Sequence, residues 1–302
     1  MTSTLTWRTL ADSPEAGRTW QLGPVRLGYI EYLNCLPVYW GIEQGIIDLP
    51  VAIKKGPPAQ LNKLFIEGAL DITPISSIEY ARHPGDTVIL PKLSIAADGR
   101  VTSVLLLSKK PLGELDGAKV ALTSHSATSV VLTKIILGEK YGVKPTYSTM
   151  EPDAYQMLAE ADACLVIGDP ALRAVNDPKL KETFPEMQIY DLGQEFKDLT
   201  GEIFVFALWV IRREFVDRNP EGVKLVAELF QASRDWAVEH WEALIQEGAH
   251  RRNLPESAVR DHFTQIRHHF TPEYRRGLLT FYELAHKIGE IPAVPELTVW
   301  GE

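Results

Sequence analysis

A two-lobed α/β fold with its ligand cleft between the lobes follows from three features of this sequence. Short apolar runs alternate with helix-patterned segments from Val25 onward, as layered α/β architecture requires. A second strand–helix series opens after Pro111 and finishes near YDLG, residues 190–193. The apolar run IFVFALWVI at 203–211 then returns the chain to the first unit. One series set inside another predicts a first lobe of residues 24–108 plus 205–302 and an inserted lobe of residues 109–204. Two crossings between lobes leave a cleft, the usual lodging of a small ligand.

The elements read as follows. Residues 1–23 are polar and without period, an N-terminal arm. VRLGYI is a strand. Residues 57–68 form a helix: Pro57 and Pro58 open it, Leu61, Leu64 and Phe65 share a face, and Gly68 closes it. ALDITPIS and VTSVLLLS (101–108) are strands. In the inserted unit KVALTS, PTYST and ACLVIGD are strands, while TSVVLTKIILGEKYG, PDAYQMLAEA and PALRAVND are helices. Gly142 ends the first of these helices. From Pro220 the chain is mainly helical, and Val226, Leu229, Phe230, Ala237, Trp241 and Leu244 mark one buried stripe.

Composition narrows the function. Acids outnumber bases 40 to 31, for a net charge of −9, which argues against a nucleic-acid partner. No apolar run is long enough for a membrane span, so no membrane partner is expected. The start carries no basic-then-apolar leader pattern, and Cys35 and Cys164 form no framework; both point to a cytoplasmic location. Dinucleotide, P-loop, zincin and nucleophile-elbow motifs are missing from the sequence. His268 and His269 are adjacent, so they cannot form an i, i+4 metal pair and read as solvated or satisfied helix polars. No metal site is expected.

Small neutral polar residues at the ends of apolar strands carry the chemistry instead. Asn34 follows VRLGYI and either bonds its own turn or offers an uncharged donor and acceptor. Ser76 and Ser77 either cap the next helix or line the cleft. Ser124, Ser126, Thr128 and Ser129 crowd one helix start. That is more hydroxyl than a cap needs, so the N–H groups from Ala127 to Ser129 are candidates for holding a carboxylate. Ser103 interrupts an apolar strand and needs a partner or faces the cleft. Gly168 and Asp169 end another strand, with Asp169 either an N-cap or a cleft residue.

YLNCLPVYWGI, GALDITPISSIEYAR, DGRVTSVLLLS, SHSATSVVL, ACLVIGDPALR and DLGQEFKDLTGEIFVFALWV occur in one order between residues 25 and 212. In these stretches the chain resembles the chorismate dehydratase family of the futalosine route to menaquinone. It departs from that family's pattern at Glu202 and Ile203, where Leu and Pro are common. The resemblance implies a type II periplasmic-binding-protein-like fold used as an enzyme without a cofactor. The substrate is chorismate, which loses water to give 3-[(1-carboxyvinyl)oxy]benzoate. By resemblance Asn34 and Ser103 are the active-site pair and the SHSATS segment is the carboxylate-binding helix start. The resemblance also implies that the substrate's own enolpyruvyl carboxylate is the base, leaving the role of His125 open. Two other classes compete: a small-anion solute-binding protein, and the dihydroxynaphthoate synthase of the same route, which opens with a different Ser/Pro/Asn-rich motif.

Overall fold

A computed structural model describes residues 8–9, 25–48 and 51–302. Apart from Arg8–Thr9, the expected arm lies outside the described residues. The first stretch contains β1 (Arg8–Thr9), β2 (Val25–Ile30), α1 (Leu36–Glu43), β3 (Val51–Gly56), α2 (Pro58–Ile66), β4 (Ile72–Ser76), α3 (Ser77–Arg82) and β5 (Thr87–Ala97). The middle stretch contains β6 (Val104–Ser108), β7 (Lys119–Thr123), α4 (Ala127–Ile135), β8 (Thr146–Met150), α5 (Ala154–Glu160), β9 (Ala163–Ile167), α6 (Gly168–Val175), α7 (Pro178–Thr183), β10 (Gln188–Asp191) and α8 (Leu192–Thr200). The last contains β11 (Phe204–Arg212), α9 (Arg213–Arg218), α10 (Pro220–Glu239), α11 (Trp241–Arg252), α12 (Glu256–Gln265), β12 (Ile266–Arg267) and α13 (Pro272–Lys287).

Two sheets result, with strand orders β1-β3-β2-β4-β11-β5-β12 and β10-β6-β9-β7-β8. In the larger sheet β2 runs parallel to β3 and β4, and β11 fills the centre antiparallel to both β4 and β5. β4 is buried at every position and β11 at all but two, so β11 reads as an apolar run rather than an alternating one. In the smaller sheet β7 is parallel to β8 and β9, while β6 pairs antiparallel with β9 and β10.

Several expectations need correction. VTSVLLLS does not close the first lobe. Its strand begins only at Val104 and pairs within the smaller sheet. Pro111 suggested a boundary, but the chain turns away earlier, at Gly99 (φ +91) and Thr102 (φ +66). The inserted series does not stop at YDLG, because Asp191 caps α8, which runs on to Gly201 in the left-handed region. The helix expected to Gly142 is α-helical to Ile135 and π-helical over Ile136–Lys140. The C-terminal stripe spans two helices, broken at His240. Among the described residues no helix is long and apolar enough to cross a membrane.

Behind the future site, α1 is anchored by aromatic packing. Tyr39 stacks on Tyr29 with centroids 4.0 Å apart. Its hydroxyl donates to the Gly28 carbonyl and accepts from Trp209 Nε1, so three buried polar groups satisfy one another. This fixes the turn between β2 and α1.

Candidate active site

The C-terminal ends of β2 and β4 meet those of β7 and β9 around a cavity of about 60 Å³. Strand ends of this kind are where open α/β sheets hold ligands. Tyr32, Asn34 and Ser76 come from the larger sheet, and His125, Ser126, Ser129 and Gly168 from the smaller. Ser103 enters from the crossing between them. The walls between are apolar, including Ile75, Ile167 and Phe206.

Asn34 lies in a short 3-10 turn, Leu33–Cys35. Its Oδ1 is buried with no partner among the described residues, so it is not the turn residue that bonds its own backbone. Its main-chain carbonyl accepts from His268 Nε2 at 2.6 Å. His268 is buried, and burial pushes its pKa down to about 4, so the ring is neutral with hydrogen on Nε2. His268 is thus a satisfied buried polar, but it lies beyond β12 and not on a helix.

Ser103 is buried at the cavity wall, and its hydroxyl has no protein partner among the described residues. Its carbonyl accepts from Gly168 N at 2.7 Å. The preceding Thr102 is held in the left-handed region by Asp191, whose carboxylate accepts from Val101 N and Thr102 N on one crossing. The same carboxylate accepts from Gly193 N and Gln194 N on the other. A Cβ on Gly193 would stand 2.3 Å from the Gly99 carbonyl oxygen, so the two crossings touch there because Gly193 has no side chain.

The serine and threonine candidates divide. Ser76 occupies the N-cap position of α3 without making a cap bond, and it lines the cavity. Ser77 does not line it: its hydroxyl donates to the Val205 carbonyl at 2.8 Å. Thr128 is also turned away, its Oγ1 accepting from Ile78 N at 3.1 Å and so capping α3 from the other sheet. Ser126 is a true N-cap of α4, accepting from Ser129 N and donating to Ser129 Oγ. That leaves the Ser129 hydroxyl hydrogen free at the cavity wall. Ala127 opens instead onto an adjoining groove that it shares with Lys63 and Arg82. Asp169 is neither cap nor cleft residue. It is buried, accepts from Leu33 N at 3.1 Å and pairs with Arg252 at 2.7 Å. Burial raises its pKa, and Arg252 partly opposes that.

Tyr32, Glu151 and Arg252 escaped the sequence reading. Tyr32 stood in the YLN motif two residues before Asn34. Glu151 has no sequence signal: only the parallel register, which pairs Thr123 with Met150, brings it beside His125. His125 Nε2 lies 3.1 Å from Glu151 Oε2, and Nδ1 lies 3.0 Å from the Tyr32 hydroxyl. Hydrogen bonds from Ser124 and His125 hold Glu151 below the usual carboxylate range. Burial, with the nearby Asp169 charge, pushes Tyr32 up to about 12, so the phenol keeps its proton. A Cβ on Gly168 would stand 3.0 Å from the Tyr32 ring, and Gly168 itself has φ +61.

Comparison with known proteins points to one family and one fold. A family model described as menaquinone biosynthesis matches residues 25–287. A chorismate dehydratase of Thermus thermophilus is 33% identical over 86% of this chain and 94% of its own length. A 1,4-dihydroxy-6-naphtoate synthase of the same organism is 25% identical over 79% of this chain and 84% of its own. Among solved structures, one from Archaeoglobus fulgidus has a TM-score of 0.74 at 18% identity, covering 89% of this chain and 98% of that one. The periplasmic aliphatic sulphonate binding protein of Escherichia coli has a TM-score of 0.65 at 18% identity, covering 92% of each. These likenesses carry the fold, which is the two-lobed periplasmic-binding-protein-like one.

Proposed function

The chain belongs to the menaquinone-biosynthesis family, and from that premise we propose that it dehydrates chorismate to 3-[(1-carboxyvinyl)oxy]benzoate, a hydro-lyase reaction. In this reading the closing lobes are the two sheets, the larger built from residues before 98 and after 203. The carrying observation is that the cavity holds both a buried Asn34 Oδ1 without a partner among the described residues and a His125 ring whose two nitrogens are engaged.

The proton on the ring carbon bearing the enolpyruvyl ether is vinylogous to the ring carboxylate. Its removal delocalises a pair of electrons into that carboxylate, and loss of the neighbouring hydroxyl as water completes a benzene ring. In this reading the Ser129 hydroxyl at the cavity wall steadies a carboxylate, while the Ser129 N–H is already given to Ser126. A direct base needs a free lone pair within hydrogen-bond reach. His125 has none to spare, which supports the substrate's own enolpyruvyl carboxylate as base. The chain then works by holding one conformer of its substrate away from water.

Incubation with chorismate, with the aromatic product followed by ultraviolet absorbance and mass, tests the reading. The expected product is lighter than chorismate by one water. Unchanged chorismate after long incubation overturns the reading and favours a binding protein, while conversion only of a cyclic futalosine derivative favours the sister enzyme. For His125→Ala, kcat is expected to fall by less than about tenfold. A loss in the ~10²–10⁴ range of a missing general base would make His125 that base.

A further inference from the structure

We infer that Tyr32 reads the ring hydroxyl of the substrate by accepting a hydrogen bond from it, an assignment that rests on the chorismate reading above. The direction of the hydrogen bonds carries it. Glu151 is an acceptor at both oxygens, taking the Ser124 hydroxyl at 2.6 Å and His125 Nε2 at 3.1 Å. In the tautomer that serves Glu151 the ring hydrogen is on Nε2, and Nδ1 has only a lone pair to offer. The Tyr32 hydroxyl, 3.0 Å from Nδ1, must spend its one hydrogen there. What Tyr32 shows the cavity it lines is a lone pair alone.

The Tyr32 ring lies close against Gly168, where a Cβ would stand 3.0 Å away. A carboxylate placed against Tyr32 would meet lone pair with lone pair, so the group that fits is a hydroxyl. At the α4 side the polarity is reversed. Ser126 gives its hydrogen to Ser129 Oγ, so Ser129 is left as a donor toward the cavity. The site thus offers a donor at one wall and an acceptor at the other, matching a ligand with a carboxylate at one end and an alcohol at the other. A hydroxyl that donates to Tyr32 turns its own lone pairs toward the proton it must receive to leave as water. The aromatic product has lost that hydroxyl and leaves Tyr32 without a partner, which favours release.

Two analogues test the inference: 5,6-dihydrochorismate, whose ring cannot become a benzene by losing one water, and its counterpart with hydrogen in place of the ring hydroxyl. Calorimetry gives their dissociation constants for wild type, Tyr32→Phe and His125→Ala. Wild type is expected to prefer the hydroxylated analogue by about tenfold, the scale of one hydrogen bond. The preference should vanish in Tyr32→Phe. It should shrink in His125→Ala, where the phenol hydrogen is free to turn inward, and this second variant decides the matter if the first fails to fold. A tenfold preference that survives in both variants overturns the inference. So does failure of the hydroxylated analogue to bind wild type, and conversion or not of chorismate itself then shows whether the functional reading falls with it.

Discussion

Asn34→Asp keeps the shape of a side chain whose buried Oδ1 has no partner among the described residues and adds a negative charge where a dianion is expected. At an intermediate effective dielectric two like charges about 4 Å apart repel by roughly 4 kcal/mol. Turnover should fall at least about a hundredfold with the circular dichroism spectrum unchanged. Near-normal turnover would remove Asn34 from the mechanism. Ser103→Ala removes one neutral hydrogen bond and should cost less, about 0.5–1.5 kcal/mol. Gly168→Ala places a non-glycine residue at φ +61 with its Cβ 3.0 Å from the Tyr32 ring. The conformation alone costs about 1–2 kcal/mol, read as a lower denaturant midpoint; an unchanged midpoint would mean that Tyr32 gives way freely. Sequence revealed residues of this kind where strands end in small polar groups, as at Asn34, Ser76 and Ser103. It did not reveal direction. Ser77 and Thr128 share the composition of the true lining residues, and only the packing turns the Ser77 hydroxyl to β11 and the Thr128 hydroxyl to the start of α3.

Among the elements, α12, packed against the crossing between sheets, and the loop after β12 carry two buried histidines. His262 and His268 are both pushed down to about 4 by burial. An unfolded histidine titrates near 6.5, so between about pH 6.5 and 4 the unfolded chain binds more protons than the folded one. Stability is therefore full above the unfolded value and falls as pH drops, by about 1.4 kcal/mol per pH unit for each ring. Urea midpoints should decline from about pH 6.5 downward. His268→Gln, which keeps a donor for the Asn34 carbonyl, should flatten that decline by one ring's share. An identical slope would place the sensitivity elsewhere. Strands packed on both faces were legible as apolar runs, as β9 and β11 show. β3 was not, because VAIKKG carries two lysines, nor β5, because Pro91 and Lys92 interrupt an eleven-residue strand. A strand that bends at a residue with φ +60 loses its period, and its register against β11 shifts there, from Ile89 to Ser94.

For the molecule as a whole, a ligand held by residues of both sheets ties them together. Chorismate at roughly 100 times its dissociation constant should add about 2.7 kcal/mol to stability, so an analogue that cannot react should raise the melting temperature by several degrees. No shift at a concentration expected to saturate would mean that the analogue does not bind the folded chain. The interleaved layout has a second consequence, for the order in which the chain assembles. All five strands of the smaller sheet lie between Val104 and Asp191 and can pair as soon as that stretch leaves the ribosome. The larger sheet cannot, since its central strand β11 lies more than a hundred residues beyond the β5 edge it must join. Long-range pairings of this sort form late. Until Phe204–Arg212 arrives, the facing edges of β4 and β5 stand open, and nascent chains halted in that interval are the ones most exposed to aggregation and most in need of a chaperone.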